Sequence, residues 1–139
     1  MQHLQETGHS KICPHIAIIK NGKVLLGLRH YTPDKWKTIS VWTTSGGRCD
    51  DAENVETALR REVAEEVGIT DLNITDFLGA VDGMKDGDIV YLFAGTTNQE
   101  PQLLEPEKFS EWRWHGINEI PETFVNPKVF TLIKKLMFS

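Results

Sequence analysis

The chain has 139 residues, 40% of them apolar and 25% charged, with a formal net charge of −5 at pH 7 and two cysteines. That length suits one domain that buries a core without disulfide or metal staples. The acidic balance argues against a general binder of nucleic-acid backbones, Cys13 and Cys49 form neither a CxxC pair nor a zinc spacing, and no run approaches the ~18 apolar residues of a membrane span.

The expectation is therefore a protein of a reducing, cytoplasmic setting with no membrane and no nucleic acid as partner. Small polyphosphates stay open, because a bound metal reverses the local field. Residues 1–11 are polar and read as a loose lead-in to a core over about 14–137. Pro14 to Lys20 and Lys23 to Arg29 are strand-like runs separated by Asn21-Gly22, a strong hairpin signal that leaves Arg29 and His30 at its exit. Tyr31 to Ser40 reads as an irregular loop and Val41 to Thr44 as a short strand broken by Gly46-Gly47.

A loop from Arg48 to Glu53 leads to Asn54, which has the chemistry of an N-cap, and Gly68 suits a helix stop. Between them Val55, Leu59, Val63 and Val67 recur every four residues and make an apolar stripe. Leu72 to Val81 and Asp88 to Thr97 read as strands joined by the turn-rich Asp82 to Gly87. Residues 98–110 read as an exposed loop over the sheet, Glu111 to His115 as a half-buried strand, and Pro127 onward as a helix with Val129, Phe130, Leu132, Ile133, Leu136 and Met137 at helical spacing. Trp36, Trp112 and Trp114 are expected in the core or a cleft wall. One mixed α/β domain with helices on the sheet faces follows.

The chemistry concentrates on the helix after Asn54. Glu62, Glu65 and Glu66 stand at i, i+3 and i+4 and so share a face. Like charges at that spacing cost a few tenths of a kcal/mol per pair, and a hard divalent cation compensates them. Arg61 is expected to pair with Glu53, bracing the loop on the helix; a purely structural bridge and a catalytic part for Arg61 both remain open. Arg29 at the hairpin exit suits a phosphate.

Gly47, five residues, Glu53, seven residues, Arg61, Glu62, Val63, one residue, Glu65, Glu66, one residue, Gly68 and Ile69 together resemble the Nudix box at every defined position. Residues 21–29 are similar to the opening hairpin of MutT-type members, and the likeness extends over about 14–137. The resemblance implies an α/β/α sandwich around a mixed sheet. It also implies hydrolysis of a nucleoside triphosphate, modified or not, to the monophosphate and pyrophosphate, with Mg²⁺ and Mn²⁺ as an alternative ion. Glu62, Glu65 and Glu66 would then be ligands with the carbonyl of Gly46, and the Gly46-Gly47 turn would border the substrate.

Leu104-Glu105-Pro106-Glu107-Lys108 resembles the segment that brings a further glutamate to the site, which makes Glu107 a ligand or, with Glu62, a candidate general base, and Glu105 an outside choice. Phe124-Val125-Asn126-Pro127 is similar in placement to the segment that holds the nucleobase, although Asn126 equally suits an N-cap before Pro127. Two departures stand out. Ser45 replaces the proline usual before Gly-Gly, which suggests a more mobile loop, and Ala52 replaces a frequent glycine. A nucleoside diphosphate-sugar or dinucleoside polyphosphate hydrolase is the neighbouring reading. A catalytically idle nucleotide sensor is a rival outside catalysis, disfavoured because every box carboxylate is kept, and an acidic interaction protein is a second, which predicts no pyrophosphate or phosphate release from any nucleotide with Mg²⁺. A homodimer is compatible with the sequence.

Overall fold

The computed structural model describes residues 1–30 and 40–138, so the loop expected from Tyr31 to Ser40, with Trp36, lies outside the described residues except for Ser40. The strands are β1 (Ile12–Lys20), β2 (Lys23–Arg29), β3 (Val41–Thr43), β4 (Ser45–Gly46), β5 (Asn73–Asp82), β6 (Ile89–Thr96) and β7 (Phe109–His115), and the α-helices are α1 (Val55–Val67) and α2 (Pro127–Met137). All seven strands belong to one sheet, ordered β3-β2-β1-β6-β5, with β4 added to β1 and β7 to β2. β1 and β6 are parallel, and the other pairs are antiparallel.

Asn21 and Gly22 both take positive φ, 53° and 75°, as a two-residue hairpin turn with the twist of its strands requires. The hairpin then splays. β1 and β2 are in register at Ile19–Val24 and Lys20–Lys23. Further down, β1 takes β4 through His15–Gly46 and Ile16–Ser45, while β2 takes β7 and β3. The Gly46 turn is thereby inserted against the middle of the sheet.

The period of two along β1 divides its side chains between the faces. Ile12, Ile16 and Ile18 join Phe93 and the α1 stripe of Val55, Leu59, Val63 and Val67 in one cluster. Cys13 and Ala17 join Val90, Leu92 and α2 residues Val129 and Ile133 in the other. The result is the α/β/α sandwich around a mixed sheet. Among the described residues no helix is long and apolar enough to cross a membrane.

Three segments differ from their sequence reading. The N-terminal lead-in is docked: Gln2–Gln5 form a 3₁₀ turn, Leu4 is buried against the α1 cluster, and the His3 ring stacks 4.0 Å from Phe77. Backbone bonds from Gly8 N–H to the Glu53 carbonyl (2.7 Å) and from Val55 N–H to the Glu6 carbonyl (2.9 Å) hold it on the loop before α1. Polar composition concealed this because much of the attachment is main-chain and only Leu4 and His3 add side-chain contacts to it. Residues 98–108 cross the end of α1 as well as the sheet: Gln102 N–H satisfies the Val67 carbonyl at 2.9 Å, while Trp114 Nε1 of β7 donates to Glu100 Oε1 at 3.0 Å. Ser45, expected in a mobile loop, is buried within β4.

Ala52, where a glycine was noted as frequent, adopts φ 65° while its N–H bonds the Gly8 carbonyl at 3.1 Å. A Cβ in that left-handed region costs about 1–2 kcal/mol, partly offset by the greater unfolded-state freedom of glycine. Ala52→Gly should therefore raise the unfolding free energy by about 0.5–1 kcal/mol in a urea titration; a decrease would mean that the turn relaxes around alanine without strain.

Candidate active site

Helix α1 is set by its ends. Asn54 Oδ1 accepts from the N–H groups of Glu56 (3.0 Å) and Thr57 (3.3 Å), and Gly68 closes the helix at φ 71°. This framing puts Glu62, Glu65 and Glu66 in the last two turns, where the partial charge of the helix is negative and no basic residue occupies the last turn. Repulsion between the glutamates and repulsion from the helix end add together.

The three carboxylates are treated differently. Glu66 is 8% exposed, and its Oε1 accepts from Ser45 Oγ at 2.7 Å and Gly46 N–H at 3.0 Å. Burial pushes its carboxyl up to about 7; the Ser45 and Gly46 hydrogen bonds oppose this, while Glu62 and Glu105 reinforce it. Glu62 is half-buried and also raised, first by burial, against the pull of Arg61. Glu65 is exposed. Among the described residues no three acidic, histidine or cysteine side chains stand together as a ready-made metal shell.

Arg61 and Glu53 are brought together: Nε reaches Glu53 Oε2 at 2.8 Å and an Nη reaches Oε1 at 2.9 Å, a bidentate pair. The remaining Nη lies 3.0 Å from Glu62 Oε1 and 3.5 Å from Glu65 Oε1. One guanidinium thus ties the loop before α1 to two of its glutamates, and it holds the Glu53 carboxyl below its ordinary value.

The glycine turn is shaped by close approach. A Cβ on Gly46, whose φ is 154°, would meet the Pro14 carbonyl oxygen at 2.2 Å. One on Gly47 would stand 2.5 Å from the Glu62 carboxylate. Backbone therefore borders both Glu62 and Glu66, which any larger residue would displace.

The two glutamates of the loop after the helix differ in burial. Glu105 Oε1 is buried without a hydrogen-bond partner, Oε2 lies 3.5 Å from Lys108 Nζ, and its charge acts on Glu66. Glu107 is exposed. The direction of the loop follows from its anchors, Gln102 on α1 and His30 N–H on the Lys108 carbonyl at 2.9 Å.

On the α2 side of β1 a cleft is lined by His15, Arg29, Thr44, Phe124, Asn126 and Asp88, among others. Arg29 lies at the end of β2 with its guanidinium 5.7 Å from the Phe109 ring. Phe124 is largely core, packed on Phe130 at 5.1 Å. Asn126 is the N-cap of α2: Oδ1 accepts from Lys128 N–H and Nδ2 donates to the Asp82 carbonyl, both at 3.0 Å. One amide hydrogen remains beside the cleft. Ser45, Thr44 and His15 were missed from the sequence, which carries no periodicity that links β1 to the turn thirty residues later.

Known proteins show the same organisation. A family model described as NUDIX domain matches residues 15–136. The RNA pyrophosphohydrolase of Caulobacter vibrioides is 28% identical over 145 residues, covering 88% of this chain and 82% of that protein. The oxidized purine nucleoside triphosphate hydrolase of Danio rerio is 30% identical over 125 residues, covering 81% and 70%. The crystal structure of a MutT NUDIX hydrolase from Burkholderia pseudomallei superposes with a TM-score of 0.71 at 25% identity, covering 89% of this chain and 96% of that one. With a box complete from Gly47 to Ile69 and the sandwich built around it, the chain belongs to the Nudix family and is a Nudix hydrolase.

Proposed function

We propose that this hydrolase cleaves a nucleoside triphosphate to the monophosphate and pyrophosphate with the help of Mg²⁺. The observation that carries the reading is the gathering of Glu62 and Glu66 against the Gly46-Gly47 backbone, one strand away from a cleft bearing Arg29, with the partnerless Glu105 Oε1 on a loop whose charge acts on Glu66. Nudix hydrolases generally use divalent metals, and the donor set fits one. Its oxygens are hard ligands, two of its carboxyls are raised by burial, and the helix end supplies no compensating cation.

Glu62, Glu65, Glu66 and the Gly46 carbonyl are the groups that would hold the ion. Bound there, it would neutralise phosphate oxygens and acidify a water. The chain's own residues do the rest. Ser45 and the Gly46 N–H hold Glu66, and Arg61 orients Glu62 from Glu53. Arg29 receives a phosphate, and Glu105 Oε1 takes the proton of the attacking water. That last role moves from Glu107, the residue favoured by the motif, to its neighbour two positions earlier. The Danio relative, named for oxidized purine nucleoside triphosphates, supports a triphosphate. The Caulobacter relative favours a second reading in which that triphosphate is the 5′ end of an RNA.

Three outcomes are expected. A panel of nucleoside triphosphates, oxidised purine triphosphates, nucleotide sugars, dinucleoside polyphosphates and 5′-triphosphorylated RNA should yield pyrophosphate with Mg²⁺ from a triphosphate; release from none of them would remove the reading. Glu105→Gln should lower kcat by about 10²-fold or more while Glu107→Gln stays close to wild type, and the reverse order would return the base to Glu107.

The third concerns pH. Between its ordinary 4.5 and the native value of about 7, Glu66 retains a proton in the folded protein that the unfolded chain has lost. Metal-free protein should therefore lose stability as pH rises through that window, by about 3 kcal/mol at ~1.4 kcal/mol per unit. Urea titrations in chelator at pH 4.5 and 8 should show the loss in wild type and a flatter dependence in Glu66→Gln. Equal slopes would place the charge imbalance elsewhere.

A further inference from the structure

The turn that carries Glu105 is fastened to the exit of β2 by one residue. His30 follows Arg29 there and reaches the turn twice. Its backbone N–H donates to the Lys108 carbonyl at 2.9 Å. Its ring Nε2 lies 3.0 Å from the Pro106 carbonyl oxygen. A carbonyl can only accept, so the ring donates through an Nε2 proton. Within the turn, the Glu105 carbonyl accepts from the N–H groups of Lys108 at 2.9 Å and Phe109 at 3.0 Å, and Phe109 is in register with Arg29.

The ring contact has a short and stiff path to Glu105. Two torsions separate the Pro106 carbonyl carbon from the Glu105 α-carbon: the φ of Pro106, locked by its ring, and the ω of a planar peptide bond. The residue before a proline is itself confined to extended conformations. A bond that holds the Pro106 carbonyl therefore also holds the Glu105 backbone. The main-chain bond at Lys108 lacks this control, because the rotatable backbone of Glu107 intervenes. The side chain so placed has Oε2 3.5 Å from Lys108 Nζ and a buried Oε1 without a hydrogen-bond partner.

We propose that the His30 ring is a positioning residue for the general base: by holding the Pro106 carbonyl it fixes the Glu105 carboxyl where it takes the proton of the attacking water. The inference rests on the base role given to Glu105 above. It makes two consecutive residues at the end of β2 serve the reaction, Arg29 at a phosphate and His30 through the base.

The test is steady-state pyrophosphate release with Mg²⁺ from the triphosphate of the panel that wild type turns over fastest. His30→Ala should lower kcat about tenfold and leave KM within about twofold of wild type. His30→Phe, which keeps a ring and removes the donor, should match it, and His30→Gln, whose amide restores a donor, should recover most of the rate. On a Glu105→Gln background His30→Ala should cost less than about twofold, as a residue that acts only through Glu105 must. Unchanged kcat in both His30→Ala and His30→Phe, no recovery in His30→Gln, or the full loss repeated on the Glu105→Gln background would overturn the role of His30 and leave the base reading standing. Near-wild-type turnover by Glu105→Gln, or release from no triphosphate, would remove that reading and the inference together. The comparison of His30→Phe with His30→Gln decides the matter even if His30→Ala does not fold.

Discussion

A carboxylate buried at the negative end of a helix is the constraint around which this molecule is arranged. Glu66 sits in the last turn of α1 with one oxygen shared by the Ser45 hydroxyl and the Gly46 N–H. For that contact to form, residues 45–46 must lie flat against β1, and Gly46 must take a conformation in which a Cβ would strike the Pro14 carbonyl. The splaying of β1 from β2 makes room for them. The loop over 98–108 then closes the same helix end through Gln102 and carries Glu105, whose charge acts on Glu66. Much of the irregular geometry of the fold thus serves one acidic cluster.

The Gly46 turn also links two faces of unlike character. Towards α1 it meets the carboxylates of Glu62 and Glu66, and towards α2 its register partner His15 opens on a cleft with apolar walls that also carries Arg29. A polyphosphate with an aromatic base has the same division, one end densely charged and the other flat and apolar. The sheet supplies a rigid boundary between the two environments, and the turn is the place where a ligand could contact both.

Stability is given up locally to make this site. Like charges share a helix face, two carboxyls are raised above their ordinary values by burial, and Ala52 holds a left-handed φ beside the segment that Arg61 anchors. None of these features belongs to the apolar clusters, whose alternating strands and four-residue helix stripe agree with their burial throughout. Such segregation of strain at a functional cluster is what selection for activity produces when the rest of the fold can carry the cost.

Local chemistry was legible in the sequence because its rules have short range. A hairpin follows from Asn21-Gly22, a helix from Asn54, the Val55–Val67 stripe and Gly68, a shared acidic face from i, i+3, i+4, and the Glu53–Arg61 pair from opposite charges flanking one helix start. The Nudix box lies entirely within that range. Four matters were decided only by tertiary structure: the docking of residues 2–8, the hydrogen bond from Ser45 to Glu66, the commitment of Asn126 to capping α2, and the burial of the Glu105 Oε1 atom beside an exposed Glu107. Each depends on where a main-chain donor or acceptor far along the chain finds its partner. Periodicity and composition carry no record of such pairings, so a motif can name two glutamates while only the folded backbone determines which of them is buried.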